Sequence, residues 1–281
     1  MLFRSVYHMP PFSPELGAAF LSGKLDYARL MDPVSWRKAK EMPGVSAAAF
    51  NQSVVQAVFF NQKKNKALQD ARVRRAIHLA LDKHVLVDVV KDTAPMQIGG
   101  MVYPFHEAST PKAELEKRLG YQRDPKAQIQ EAKKLMQAAG YGQGLKGLDF
   151  LVREANTFKL WAVAIQAMLK EHLNIECNLR VVQTSVWFDE AVAGHFDLAI
   201  SAIVSSLMDP SDIFSAWYGK DGPQNYSRWT NAAFHDLAGQ VERELDDTKR
   251  TAMVRKAEEI LEQDPPLIPI AYEQKIGRAH V

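Results

Sequence analysis

Two hydrophobic periods alternate along the second half of this chain. Leu148 to Val152 is a short apolar run with strand character. Phe158, Trp161, Ala162, Ile165, Met168 and Leu169 then fall at helical spacing and predict an amphipathic helix. Ile175, Cys177, Leu179 and Val181 alternate as a strand; Ser185 can cap a helix carrying Trp187, Phe188 and Ala191 that ends at Gly194; Phe196 to Ile200 reads as a buried strand. Strands and helices in strict alternation predict parallel strands joined by crossover helices, an α/β fold.

The first half is more broken. Ser13-Pro14 opens a short helix that Gly23 can close, Leu25 to Leu30 alternates as a strand, Asp32-Pro33 opens another short helix, and Pro43-Gly44 is a turn. Val45 to Phe50 and Val54 to Asn61 read as a pair of strands. Asp70 is placed to N-cap a helix whose apolar face is Val73, Ala76, Ile77, Ala80 and Leu81, with Arg72, Arg74 and Arg75 largely outside that stripe. Asp124-Pro125 precedes Ala132, Leu135, Met136 and Ala139 at helical spacing, and Gly140 follows as a left-handed stop. Near the end, Asn231 to Leu245 and Asp247 to Gln263 predict two helices.

Bulk composition narrows the function classes. At 281 residues the chain is long enough for two lobes. With 47% hydrophobic and 24% charged residues it is an ordinary globular sequence, and a net charge of +2 carries no nucleic-acid or membrane-surface footprint. Cys177 is the single cysteine, which excludes an intrachain disulfide and a cysteine-based zinc cluster. No G-x-S-x-G or P-loop pattern is present; Gly140, Gly142, Gly144 and Gly147 follow a helix, where they read as a turn and not as a dinucleotide-binding loop; and the histidines lack metal-ligand spacing beside a carboxylate. The sequence therefore predicts no enzyme, no cofactor and no bound metal.

The two ends read as foreign to the rest. Met1 to Ser5 and Ile276 to Val281 resemble translations of the two strands of a common sequencing adapter. The expectation is a native segment running from about residue 6 to residue 275, with 1–5 and 276–281 left out of fold reasoning.

Several motifs, in order, carry a family resemblance. Phe59-Phe60-Asn61 followed by Asp70-Ala71-Arg72-Val73-Arg74-Arg75-Ala76-Ile77-His78-Leu79-Ala80-Leu81-Asp82-Lys83 resembles the solute-binding proteins of ABC importers of the peptide/nickel type, family 5, dipeptide- and oligopeptide-binding-like. Gly23-Lys24-Leu25-Asp26, the Asp124-Pro125 to Gly140-Tyr141 stretch and Asp264-Pro265-Pro266-Leu267-Ile268-Pro269 resemble further segments of that family. The resemblance implies a two-lobed α/β fold of the periplasmic-binding-protein type II kind with the first lobe incomplete. Residues 6–58 would belong to lobe 1, 62–202 to lobe 2, and 206–275 to the return into lobe 1, with hinge crossings at Phe60-Asn61 and Val204-Ser205.

It also implies a function: capture of a peptide-like or other small organic solute between the lobes, in the periplasm or another extracytoplasmic space, and delivery to ABC permease subunits by a monomer. A ligand-sensing domain of a regulator or receptor is the alternative. Trp187 matches a cleft tryptophan of peptide-binding relatives, with a core packing role as the other reading. Ser206 stands where those relatives use an aspartate for the peptide's α-ammonium, so the charged grip is missing there. Tyr218, Asn225, Tyr226 and Trp229 form a candidate aromatic and amide wall, with loop packing as the alternative; Asp209 is expected to shape the turn before a helix.

Overall fold

The computed structural model describes residues 14–28, 33–92, 95–205 and 207–280. In chain order the elements are α1 (Pro14–Leu21), β1 (Tyr27–Ala28), α2 (Pro33–Glu41), β2 (Ser46–Phe60), α3 (Lys66–Gln69), α4 (Ala71–Ala80), α5 (Lys83–Val90), β3 (Met96–Gln97), α6 (Lys112–Leu115) and α7 (Lys126–Ala138). They continue as β4 (Leu148–Arg153), α8 (Asn156–Leu173), β5 (Cys177–Val182), α9 (Thr184–Ala193), β6 (Leu198–Val204), α10 (Pro210–Ala216), α11 (Ala232–Arg243), α12 (Asp247–Gln263) and β7 (Leu267–His280). Two compact units result: one holds the described residues within Met1–Asn51, Lys91–Pro95 and Gln274–Val281, the other Gln52–Val90 and Met96–Glu273.

In the smaller unit, α1 and α2 gather a small core from Phe20, Ala28 and Ala39, and β1 pairs antiparallel with the end of β7. The larger unit is built on a mixed sheet in the order β7-β2-β6-β4-β5, with β3 added on β7. Strands β4, β5 and β6 run parallel as the alternation predicts, but β2 pairs antiparallel with β6 over Val54–Phe60. The paired strands expected at 45–50 and 54–61 are instead one continuous strand. Asn51-Gln52-Ser53 contains neither glycine nor proline, so nothing in it forces the chain to reverse.

Side-chain alternation divides the interior of this unit into two cores, one on each face of the sheet. Val58, Phe60, Leu148, Phe150, Val152, Leu198 and Ile200 pack with Trp161, Ile165 and Leu169 of α8 and with the apolar stripe of α4. The intervening Val55, Ala57, Phe59, Leu151 and Ala199 pack with Trp187 and Ala191 of α9, together with α10 to α12. Helices α8 and α9 therefore cover opposite faces, although they follow adjacent strands.

Local signals place most helix ends. Asp70 caps α4 by accepting from the Arg72 N–H at 2.9 Å, as the sequence predicts. Gly194, in the left-handed region at φ +77°, closes α9. That helix starts at Thr184 with Gln183 before it, so Ser185 is inside the first turn and not its cap.

Three buried polar ties hold helices to loops. Arg74, read in the sequence as a residue that positions structure, donates to the carbonyls of Leu68 (2.7 Å), Gln69 (2.9 Å) and Pro265 (3.0 Å) and pairs with Asp264. The Asp70–Lys83 stretch and the Asp264–Pro269 segment are thus clamped to each other. Glu258 on α12 accepts from the Val102 N–H, the Thr110 N–H and the Thr110 hydroxyl at 3.0, 3.0 and 2.7 Å, which fixes the 102–110 loop; burial pushes its pKa up to about 7. Lys83 is fully buried at the start of α5. Its Nζ donates to the Gly120 carbonyl at 2.8 Å and lies 4.1 Å from the centre of the Tyr121 ring and 3.5 Å from His78 Nε2. Gly120 has φ +94°, and a Cβ there would come within 2.7 Å of His78 Nε2, so both conformation and space require glycine.

Candidate functional site

Open α/β sheets bind ligands beyond the carboxyl ends of their strands, where successive connections leave on opposite faces. In this chain that point lies between β4 and β5. Strand β4 ends at Arg153 and leads into α8 on one face; β5 ends at Val182, paired with Arg153, and leads into α9 on the other.

Trp187 sits in the first turn of α9 and is completely buried. Its ring makes tilted or edge-on contacts with Phe59 (6.1 Å between centres), Tyr226 (5.5 Å) and Phe188 (5.2 Å). The indole Nε1 nonetheless has no hydrogen-bond partner among the described residues. A buried N–H left unpaired costs free energy, roughly 1–3 kcal/mol.

Trp187, Tyr218, Tyr226 and Trp229 all lie in the same core, with direct ring contact joining Trp187 to Tyr226 and Phe234 linking Tyr218 to Trp229. Tyr218 is buried and donates its hydroxyl to the Met101 carbonyl at 2.9 Å. Asn225 ties its loop together: Nδ2 donates to the Gly219 and Trp229 carbonyls, both at 2.9 Å, and Oδ1 accepts from the Trp229 N–H at 3.2 Å. Trp229 packs edge-on against Phe234, and its indole Nε1, like that of Trp187, is buried and unpartnered among the described residues.

The expected crossings are well-tied strand ends. Phe60 is buried in the α8-side core. Asn61 donates Nδ2 to the Gly194 carbonyl at 2.6 Å and accepts from the N–H groups of Lys63 (2.9 Å) and Lys64 (3.2 Å). Val204 is half-exposed, with its backbone clasped at N and O by the Gln224 amide at 3.2 and 2.8 Å. Ser205 is buried and its hydroxyl meets the Leu207 carbonyl and Asp212. Ser206 lies outside the described residues. Asp209 caps α10 by accepting from the Ser211 N–H at 2.8 Å and pairs with Arg250 at 2.6 Å, the structural role expected of it.

Sequence reading missed Arg153. Its Nε donates to Thr184 Oγ1 at 3.1 Å and its Nη1 approaches Ser201 Oγ at 3.5 Å. The guanidinium carbon lies 5.7 Å from the centre of the Phe158 ring and 5.6 Å from that of Phe188. No carboxylate pairs with it among the described residues, and partial burial lowers its pKa. The available signal was positional: an arginine as the last residue of a parallel strand, followed at once by a helix.

Among the described residues, no group of histidine, cysteine, aspartate and glutamate side chains could hold a metal ion, and no helix is long and apolar enough to cross a membrane.

Comparison with known proteins agrees with this architecture. The chain is 27% identical over 213 residues to the periplasmic oligopeptide-binding protein OppA of Salmonella typhimurium, covering 75% of this chain and 38% of that protein. It is 26% identical over 272 residues to the periplasmic murein peptide-binding protein MppA of Escherichia coli (95% and 49%), and 24% identical over 257 residues to the probable deoxycholate-binding periplasmic protein YgiS of the same species (86% and 45%). The chain thus spans less than half the length of each of these curated relatives. Among solved structures, the unliganded open form of MppA superposes with a TM-score of 0.76 at 22% identity, covering 95% of this chain and 51% of that one. A putative peptide-binding protein AppA from Clostridium difficile superposes with a TM-score of 0.78 at 19% identity, covering 97% and 54%. These relatives are solute-binding proteins, not enzymes, and they share the α/β fold described above. Residues 6–225 match the family model described as bacterial extracellular solute-binding proteins, family 5 Middle, and the chain belongs to that family.

Proposed function

We propose that this protein is the solute-binding component of an ABC importer. It captures a peptide-like or other small organic solute in an extracytoplasmic compartment and delivers it, as a monomer, to the permease subunits. Residues 62–202 form one lobe of the binding protein, and 6–58 with 206–275 contribute to the other. Solute lies against Trp187 and Tyr226, with Ser206 at the second crossing and Tyr218, Asn225 and Trp229 behind the contact surface.

The observation that carries this reading is the Trp187 indole: a buried donor without a partner among the described residues, in the first turn of the helix that follows a parallel strand. The names of the relatives, which bind oligopeptides, murein peptides and deoxycholate, agree with an organic solute. A thermal-shift screen of the chain against tri- and tetrapeptides and bile salts tests it. At least one class should raise Tm, and Trp187→Phe, which keeps the ring but removes the N–H, should weaken that binder by about tenfold. No shift with any of these solutes, or turnover of a bound one, would end the proposal.

A further inference from the structure

The partially buried cations of the larger unit are mostly answered by carboxylates. Arg74 faces Asp264, Arg118 faces Glu114 and Glu262, Arg180 faces Asp149 and Glu190, and Arg250 faces Asp209. Arg153 is partly buried and has no such partner among the described residues. Its protein contacts are two neutral hydroxyls and two aromatic rings. The hydroxyls engage Nε and Nη1, which leaves Nη2 and the second Nη1 proton free of protein acceptors among the described residues.

This arrangement presents a pre-oriented guanidinium. Rings at 5.6 and 5.7 Å and the Thr184 hydroxyl fix its plane, so little side-chain entropy remains to be lost on binding. The edge bearing Nη1 and Nη2 matches the spacing of two carboxylate oxygens. The residue also stands where the fold directs ligands, at the carboxyl end of β4 between α8 and α9, and Phe188 joins it directly to the Trp187 ring.

We infer that Arg153 is a specificity-determining residue that seats the carboxylate of an organic solute, with Phe158 and Phe188 as its walls and the Trp187 ring adjoining. This deepens the proposed function and rests on it: it assigns the cargo to organic carboxylates, whether the carboxyl terminus of a peptide or the acid group of a non-peptide solute.

The test is calorimetric titration of the full chain with trialanine, trialaninamide and deoxycholate. The wild-type chain should bind at least one of the two carboxylates, and the peptide acid and the bile acid distinguish the two sources. Arg153→Met keeps the stem and removes the charge; it should weaken the carboxylate probe by about tenfold to a hundredfold, with Arg153→Lys recovering part of the loss. If the peptide is the binder, trialaninamide should bind wild type as weakly as trialanine binds Arg153→Met, and the amide should be indifferent to the substitution. Equal binding of acid and amide, or a carboxylate affinity unchanged in Arg153→Met, overturns the carboxylate seat while leaving solute capture intact. Failure of every organic solute to bind wild type overturns both. The unfolding curve of Arg153→Met, matched to wild type without ligand, separates loss of the seat from loss of the fold.

Discussion

Lys83 is a cation enclosed by the Gly120 carbonyl, the Tyr121 ring and His78, and that enclosure has a calculable cost. Burial lowers its pKa from 10.5 to about 7, with Glu262 and Asp82 pulling weakly the other way. The difference corresponds to about 5 kcal/mol against the charged form in the folded chain. The folded state binds this proton more weakly than the unfolded state, so the cost is complete below about pH 7, falls as pH rises, and vanishes above 10.5. His78 does not confuse the window, because burial and Lys83 hold its pKa well below the usual histidine value.

Lys83→Met retains the stem without the charge and loses the bond to Gly120, worth ~1 kcal/mol at any pH. The variant should therefore be more stable than wild type by about 3 kcal/mol at pH 7 and no more stable than wild type at pH 10. Urea unfolding followed by tryptophan fluorescence at pH 7, 8.5 and 10 reads both values. A stability difference that stays constant from pH 7 to 10 would refute the reasoning, since only a titrating Lys83 makes it change sign.

Two further predictions concern other buried groups. Glu258 is protonated more readily in the folded chain than in the unfolded one, so wild-type stability should fall by about 3 kcal/mol as pH rises from 4.5 to about 7. Glu258→Gln should lack that part of the slope in thermal unfolding, and a parallel profile would contradict it. The Cys177 thiol is buried and its pKa is pushed up to about 12, so at pH 8 it should react with Ellman's reagent only as fast as the structure opens. Immediate labelling of the native chain would show that the strand edge is open.

Periodicity made the α/β core legible. The helix expected over Asp247 to Gln263 is α12 residue for residue, and β4 and β5 lie within a residue or two of the expected strands. Helix caps at Asp70 and Gly194 were readable because each acts on its own neighbours in sequence. The single strand β2 was not, since continuity through Asn51 depends on partners far along the chain. The same is true of the candidate site. Arg153 and Trp187 draw their meaning from partners absent among the described residues, a carboxylate and an acceptor, and a linear sequence does not display which groups stay unpaired in space. Lys83 and Glu258 sat on helices as ordinary charges until the fold enclosed them.

The two faces of β2 have a consequence for how the sheet finds its alignment. A strand with one wet face is held in place by polarity, because sliding it one residue would expose its apolar set to water. Val55, Ala57, Val58, Phe59 and Phe60 feed apolar side chains to both sides, so a one-residue slip would exchange Phe59 for Phe60 and penalise neither with exposure; of this stretch only Gln56 is polar. The guard against slippage therefore lies with Gln56, whose amide donates to Glu273 at 3.3 Å, and with the ends. Ser53 and Ser205 bond each other's backbone at one end, with 2.7 and 2.8 Å contacts, and at the other the Asn61 N–H meets the Asp197 carbonyl at 2.9 Å while its side chain holds Gly194. These few polar residues act as stops on an otherwise smooth rail, and changing them should threaten alignment more than any single core substitution of similar cost.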